Sequence, residues 1–124
     1  MSKEDSKRYE YLLRLGDNAL ILGQRLSEWI GHGPVLEEEL ATANVALDLI
    51  GQGSLWLELA AKHRNDGADA DRLAFHRDAW DFRNALLVEQ PNGDYAVTLA
   101  RQFFFDAFHY PLLEQLTRSS DPEV

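Results

Sequence analysis

The sequence predicts an all-α protein. Apolar residues recur at intervals of three and four, almost no segment alternates as a strand would, and the segments are separated by glycine, proline and asparagine turns. The chain has 124 residues, 45% hydrophobic and 27% charged, which is enough apolar material for one folded core and too much for a disordered chain. A single helical domain over 1–124 is expected, with Trp29, Trp56 and Trp80 contributing to its interior.

The first helix is predicted from about Asp5 to Ile30. Leu12, Leu15, Ala19, Leu22, Leu26 and Trp29 share one face, and Leu13, Leu20 and Ile21 form a second apolar row beside it. Gly31-His32-Gly33 ends this helix. Pro34 suits the first position of the next, where its missing N–H leaves no bond unmade, and Glu37, Glu38 and Glu39 complement the positive end of the dipole.

The second helix continues to about Arg64 through Leu36, Leu40, Ala43, Leu47, Ile50, Leu57 and Ala61. Gly51 and Gly53 interrupt it at about 1 kcal/mol each relative to alanine, so each marks either a close helix crossing or a bend. A loop is expected over residues 65–69. The third helix is predicted from about Asp71 to Val88, with Phe75, Ala79, Phe82 and Leu86 in register. Pro91-Asn92-Gly93 is turn chemistry, and Asp94 caps a fourth helix carrying Val97, Ala100, Phe104, Ala107, Phe108 and Leu112. Pro111 predicts a kink or an early end there. Ser119-Ser120-Asp121-Pro122-Glu123 has the signature of a further helix start, as in the opening of something longer.

Charge and composition exclude several functions. A net charge of −9 and a pI of about 4.7 oppose binding to nucleic acid or to anionic membrane, and the lysines and arginines form no patch. The absence of cysteine removes disulfides, thiol catalysis and sulfur-ligated metals. With no signal-like N-terminus and no long apolar run, the cytoplasm is the expected location.

Two constellations can carry chemistry. Asp106 and His109 stand at i and i+3, the spacing of the carboxylate–histidine pairs that hold di-iron centres in helical bundles. A second such pair is missing, because His32, His63 and His76 have no carboxylate three residues earlier. The plainer reading of His109 is a partly buried histidine bonded to Asp106 or to a backbone group. The other constellation is polar: Asp17 and Gln24 on one face of the first helix, Asn44, Asp48 and Gln52 on one face of the second. Unsatisfied polar groups are costly to bury, so a structural hydrogen-bond network across the helices is expected of them, ahead of a binding site or a solvated face.

Several blocks carry a resemblance. Leu13-Arg-Leu-Gly-Asp-Asn18, Gln24-Arg-Leu-Ser-Glu-Trp29, Asn44-Val-Ala-Leu-Asp-Leu-Ile-Gly-Gln52, Leu87-Val-Glu-Gln-Pro-Asn-Gly93 and Arg101-Gln-Phe-Phe-Phe-Asp-Ala-Phe-His109 resemble the non-catalytic, ferritin-like structural subunits of bacterial phenylacetyl-CoA epoxidase. The resemblance implies a partial ferritin-like bundle of about four helices, the N-terminal half of a family chain about twice as long. It implies a scaffold role in aerobic phenylacetate breakdown beside a catalytic ferritin-like subunit, which would hold the di-iron centre and receive electrons from a reductase. In this chain it implies no cofactor and no metal ligands, only vestigial candidates in Asp106 and His109, with Gly51 standing where a histidine would follow Asp48. Homo- or hetero-oligomers are expected. Arg64 and Arg72 are the arginines considered for a contact with coenzyme A. The competing expectation is a metal-binding helical protein whose di-metal site is completed by self-association, with Asp106 and His109 as half the ligands.

Overall fold

The computed structural model describes residues 3–64, 69–75, 77 and 81–124, without the side chain of Arg64. Among them are five helices and no strand: α1 (Lys3–Ser27), α2 (Leu36–Arg64), α3 (Ala70–Phe75), α4 (Leu86–Glu89) and α5 (Tyr95–Leu116). They fall into two compact units, residues 1–91 and residues 92–124. No helix is long and apolar enough to cross a membrane among the described residues.

In the first unit α1 and α2 form an antiparallel hairpin, with α3 on α2 and α4 on α1. The predicted face of α1 is buried through Leu12, Leu15, Ala19, Leu22 and Leu26, and Leu13 and Leu20 of the second row are buried as well. Trp29 and Trp56 are half-buried, and Trp80 lies outside the described residues. Glycines set the hairpin's close approach. A Cβ on Gly53 would stand 3.1 Å from both the Gly16 carbonyl oxygen and the Leu20 nitrogen, and one on Gly23 would stand 3.1 Å from the Ala46 carbonyl oxygen. The helices cross backbone to backbone, so closely that a side chain at these glycines would press on the neighbouring helix. Gly31, with φ of 86°, reverses the chain between them, and its N–H donates to the Glu39 carboxylate.

This crossing corrects the predicted face of α2. The buried positions are Thr42, Ala46, Leu49, Gly53, Leu57, Ala60 and Ala61, while Leu36, Leu40 and Leu47 are exposed. Gly53 has to face α1, so α2 is turned with its smaller residues inward. Leu36, Leu40 and Leu47 then point away, while Leu57 and Ala61 of the predicted row stay buried. The helix begins at Leu36, two residues beyond Pro34.

The predicted third helix is also corrected. Among the described residues of this span, α3 is helical, residues 82–85 are non-helical and a short α4 follows. The reason is a competing set of partners. Within 82–85, the Arg83 N–H donates to Asp17 Oδ2 at 2.7 Å and the Ala85 N–H to Asn18 Oδ1 at 2.6 Å, so this backbone is bound to α1 and not to itself. The loop expected over 65–69 lies outside the described residues except for Asp69, whose carboxylate accepts from the Arg72 N–H. Ala79 and His76 lie outside them too.

In the second unit Asp94 caps α5 as expected, accepting from the Val97 N–H at 2.9 Å, and the Thr98 hydroxyl donates to the Asn92 carbonyl. The helix passes through Pro111 and continues to Leu116. Its buried stripe is Thr98, Arg101, Phe105 and His109, not the predicted row: Val97, Ala100, Phe104, Ala107 and Phe108 are exposed and Leu112 is half-buried. Apolar residues surround α5 on nearly every side, so periodicity alone could not select the buried one. Beyond it, Asp121 Oδ1 accepts from the Glu123 N–H at 3.0 Å, the geometry of a capping turn.

Candidate functional site

The strongest polar constellation is centred on Asp17. This carboxylate is fully buried on α1, a helix that also buries Leu12, Leu13, Leu20 and the crossing glycine Gly16. A buried carboxylate needs a cation and further donors. Arg77 supplies a two-pronged guanidinium: Nη2 donates to Oδ1, and Nη1 donates to Oδ2 at 3.2 Å. The Arg83 N–H completes the set on Oδ2.

Arg77 is itself closely held. Its side chain is 9% exposed, its Nε–H donates to the Leu73 carbonyl, its Nη1 also reaches the Asp81 carbonyl, and its guanidinium lies 4.1 Å from the Phe82 ring centroid. Arg83 adds a longer ion pair to Glu10 at 3.9 Å on the surface. Both carboxylate oxygens of Asp17 are therefore taken by protein donors. Such an arrangement ties the 82–85 segment to α1 and pairs the carboxylate with a protein cation.

The predicted polar row is only partly buried. Gln24, Asn44 and Asp48 are exposed and Gln52 is half-buried. The hairpin crossing explains this: at about 100° per residue, Asn44 and Asp48 lie roughly opposite Gly53 on α2 and so point away from α1. Asp17 is the one residue of that predicted network at 0% exposure, and its bonds go to Arg77 and Arg83. Neither arginine was legible as its partner, because they lie 60 and 66 residues away beyond a break in helix periodicity.

On α5, His109 is buried and stacks on Phe105, with ring centroids 4.6 Å apart. Burial lowers its pKa below 6.5, and the charge of Asp106 opposes that shift. Asp106 is exposed and accepts from Gln102 Nε2 at 2.9 Å. Among the described residues, no three histidine, aspartate or glutamate side chains stand close enough to share a metal ion. Arg72 is exposed on α3.

A paired helical hairpin with an arginine-neutralised carboxylate at its crossing makes this an all-α helical protein. The comparisons give the family. The model of the phenylacetic acid catabolic protein family matches residues 1–124, and the chain belongs to that family. It is 55% identical over 114 residues to a subunit of the 1,2-phenylacetyl-CoA epoxidase of Escherichia coli (strain K12), an alignment that takes in 92% of this chain. The chain spans about half the length of that relative, 46%.

Proposed function

We propose that the chain acts in phenylacetate catabolism as a structural, non-catalytic component of a phenylacetyl-CoA ring-epoxidising oxygenase. The di-iron centre and the oxygen chemistry belong to a catalytic partner subunit on which this chain docks, in the cytoplasm. Family membership and the relative's name support the pathway. The observation that carries the non-catalytic role is Asp17. The fully buried acidic side chain of the hairpin is engaged by the Arg77 guanidinium and the Arg83 amide, a cation where a metal site would need an open carboxylate. On α2, Asp48 is exposed and followed at the third residue by Gly51, so that helix offers no carboxylate–histidine pair there.

The reading is tested by co-expressing the chain with a catalytic phenylacetyl-CoA epoxidase subunit, capturing it by affinity and measuring the native mass. A stoichiometric complex with epoxidase activity is the expected result. Recovery of this chain free of the catalytic subunit contradicts it. A second reading, a di-metal site completed by self-association, rests on the i, i+3 placement of Asp106 and His109 on α5, and would appear as about one metal ion per chain lost in a His109→Ala variant.

A further inference from the structure

Five asparagines stand in the sequence, and Asn92 is the one followed by a glycine. In that pairing the main-chain nitrogen of the second residue reaches the asparagine side-chain carbon with least hindrance, because glycine has no Cβ and turns freely. The fold decides which of these amides is open to such an attack. Asn18 and Asn44 lie inside α1 and α2, where the following N–H closes a helical turn. Asn84 is followed by Ala85, whose N–H is held by Asn18 Oδ1 at 2.6 Å. Asn65 lies outside the described residues. Gly93 is exposed, and its N–H donates to no acceptor among the described residues.

The start of α5 requires that glycine. Its φ is 60°, in the left-handed region, and a Cβ there would stand 3.1 Å from Val97 Cβ. The turn thus needs a residue without a side chain, and in having one it sets Asn92 beside an unshielded nitrogen. Asn92 is half-buried and is the first residue of the second unit, and its carbonyl accepts the Thr98 hydroxyl at 2.9 Å. Asp94, one residue past Gly93, caps Val97. A change in the main chain at 92–93 falls on both bonds that fasten the helix start.

We propose that Asn92–Gly93 is a self-modification site, at which Asn92 converts to aspartyl and isoaspartyl residues and the isoaspartyl form unfastens α5. The Gly93 nitrogen gives its proton to solvent base and attacks Asn92 Cγ. The new C–N bond closes a five-membered succinimide, and the side-chain nitrogen leaves as ammonia. Water then opens the ring at either carbonyl. Opening at Cγ gives aspartate, whereas opening at the former main-chain carbonyl gives isoaspartate, with the backbone rerouted through Cβ and Cγ. One water enters and one ammonia departs, with no oxidant or reductant. Either product makes the net charge of −9 one unit more negative. The aspartyl product keeps the backbone and sets its charge near the positive end of the α5 dipole, where it is favourable. The isoaspartyl product lengthens the backbone and turns the acceptor of Thr98 into a side-branch carboxylate. This chemistry is independent of the reaction proposed for the larger assembly.

The test incubates the full chain in mildly alkaline buffer, digests it with trypsin and sequences the peptide between Arg83 and Arg101 by electron-transfer fragmentation. That peptide holds both Asn84 and Asn92. Asn92 should convert about tenfold faster than Asn84, with isoaspartate among the products and a rate that rises with pH. The folded chain should convert at a rate comparable to that of the urea-unfolded chain. Asn92→Gln, whose longer side chain would have to close a six-membered ring, should stay unmodified with unchanged circular dichroism. In chains carrying isoaspartate, amide exchange at Val97 and Thr98 should rise about tenfold while α1 and α2 keep theirs. An Asn92 that stays intact in the folded chain yet converts in urea overturns the proposal. So does aspartate as the sole product, or an isoaspartyl chain with unaltered exchange at Val97 and Thr98.

Discussion

The α1–α2 hairpin and α5 are both long and apolar, yet they bury opposite kinds of surface. The hairpin encloses leucines and alanines, brings its backbones together at Gly16, Gly23 and Gly53, and neutralises its one buried carboxylate with an arginine from the same unit. α5 buries Thr98, Arg101 and His109 beside Phe105, and exposes Val97, Leu99, Phe103, Phe104, Phe108 and Tyr110. A helix apolar all round belongs in the interior of a larger assembly. The hairpin is closed along the α1–α2 crossing but leaves Leu36, Leu40, Leu47 and Leu55 of α2 exposed, whereas α5 exposes a set of large aromatic residues.

The largest break in that contrast should come from Asp17→Ala. Removing the carboxylate strands the Arg77 guanidinium in a site where it is 9% exposed, and loss of a buried partner costs about 3–5 kcal/mol. Denaturant unfolding measures the loss. Amide exchange at Arg83 should rise with it, because that N–H loses its acceptor.

Next come the two glycines of α2, which look equivalent in sequence and are opposite in structure. Gly53→Val drives side-chain atoms into the α1 backbone and should destabilise by about 1–3 kcal/mol. Gly51→Ala meets open space, and the gain in helix propensity should stabilise the folded chain by about 0.4–1 kcal/mol. Equal effects at both positions would refute the crossing geometry.

In α5, Asp94→Ala removes the cap on Val97 and should cost about 1 kcal/mol, seen as loss of helicity confined to that unit. The smallest effect is the pH dependence of His109. Its folded pKa is lowered, so the unfolded chain binds the proton more readily, and stability should fall as pH drops below 6.5 toward the folded value. The slope should flatten in His109→Phe, as titration of thermal unfolding would show.

Much of the fold was legible. The buried leucine face of α1, the end of α2 and the Asp94 cap follow from apolar spacing and capping chemistry, whereas α1 ends at Ser27, three residues before the expected Ile30. The choice of face on α2 and α5 was not legible, because both helices carry apolar residues on several sides and only tertiary contact selects among them. The Gly53 crossing decides it for α2.

The third helix failed for a related reason. Phe75, Phe82 and Leu86 keep helical spacing, but Asp17 and Asn18 compete for the backbone and draw residues 82–85 out of helix. Asp17 itself could be singled out as a polar residue on an apolar face. Its arginine partners could not, since no spacing rule links residues so far apart in the chain. Asn44 and Asp48 were expected inside and stand outside, because Gly53 turns the opposite side of α2 to α1.

Iron content and turnover of the purified chain test the non-catalytic assignment most directly. The structural-subunit role predicts well under one iron per chain after reconstitution with ferrous iron, and no epoxidation of phenylacetyl-CoA even with reductase and oxygen supplied. Stoichiometric iron accompanied by epoxide formation from the isolated chain would contradict it.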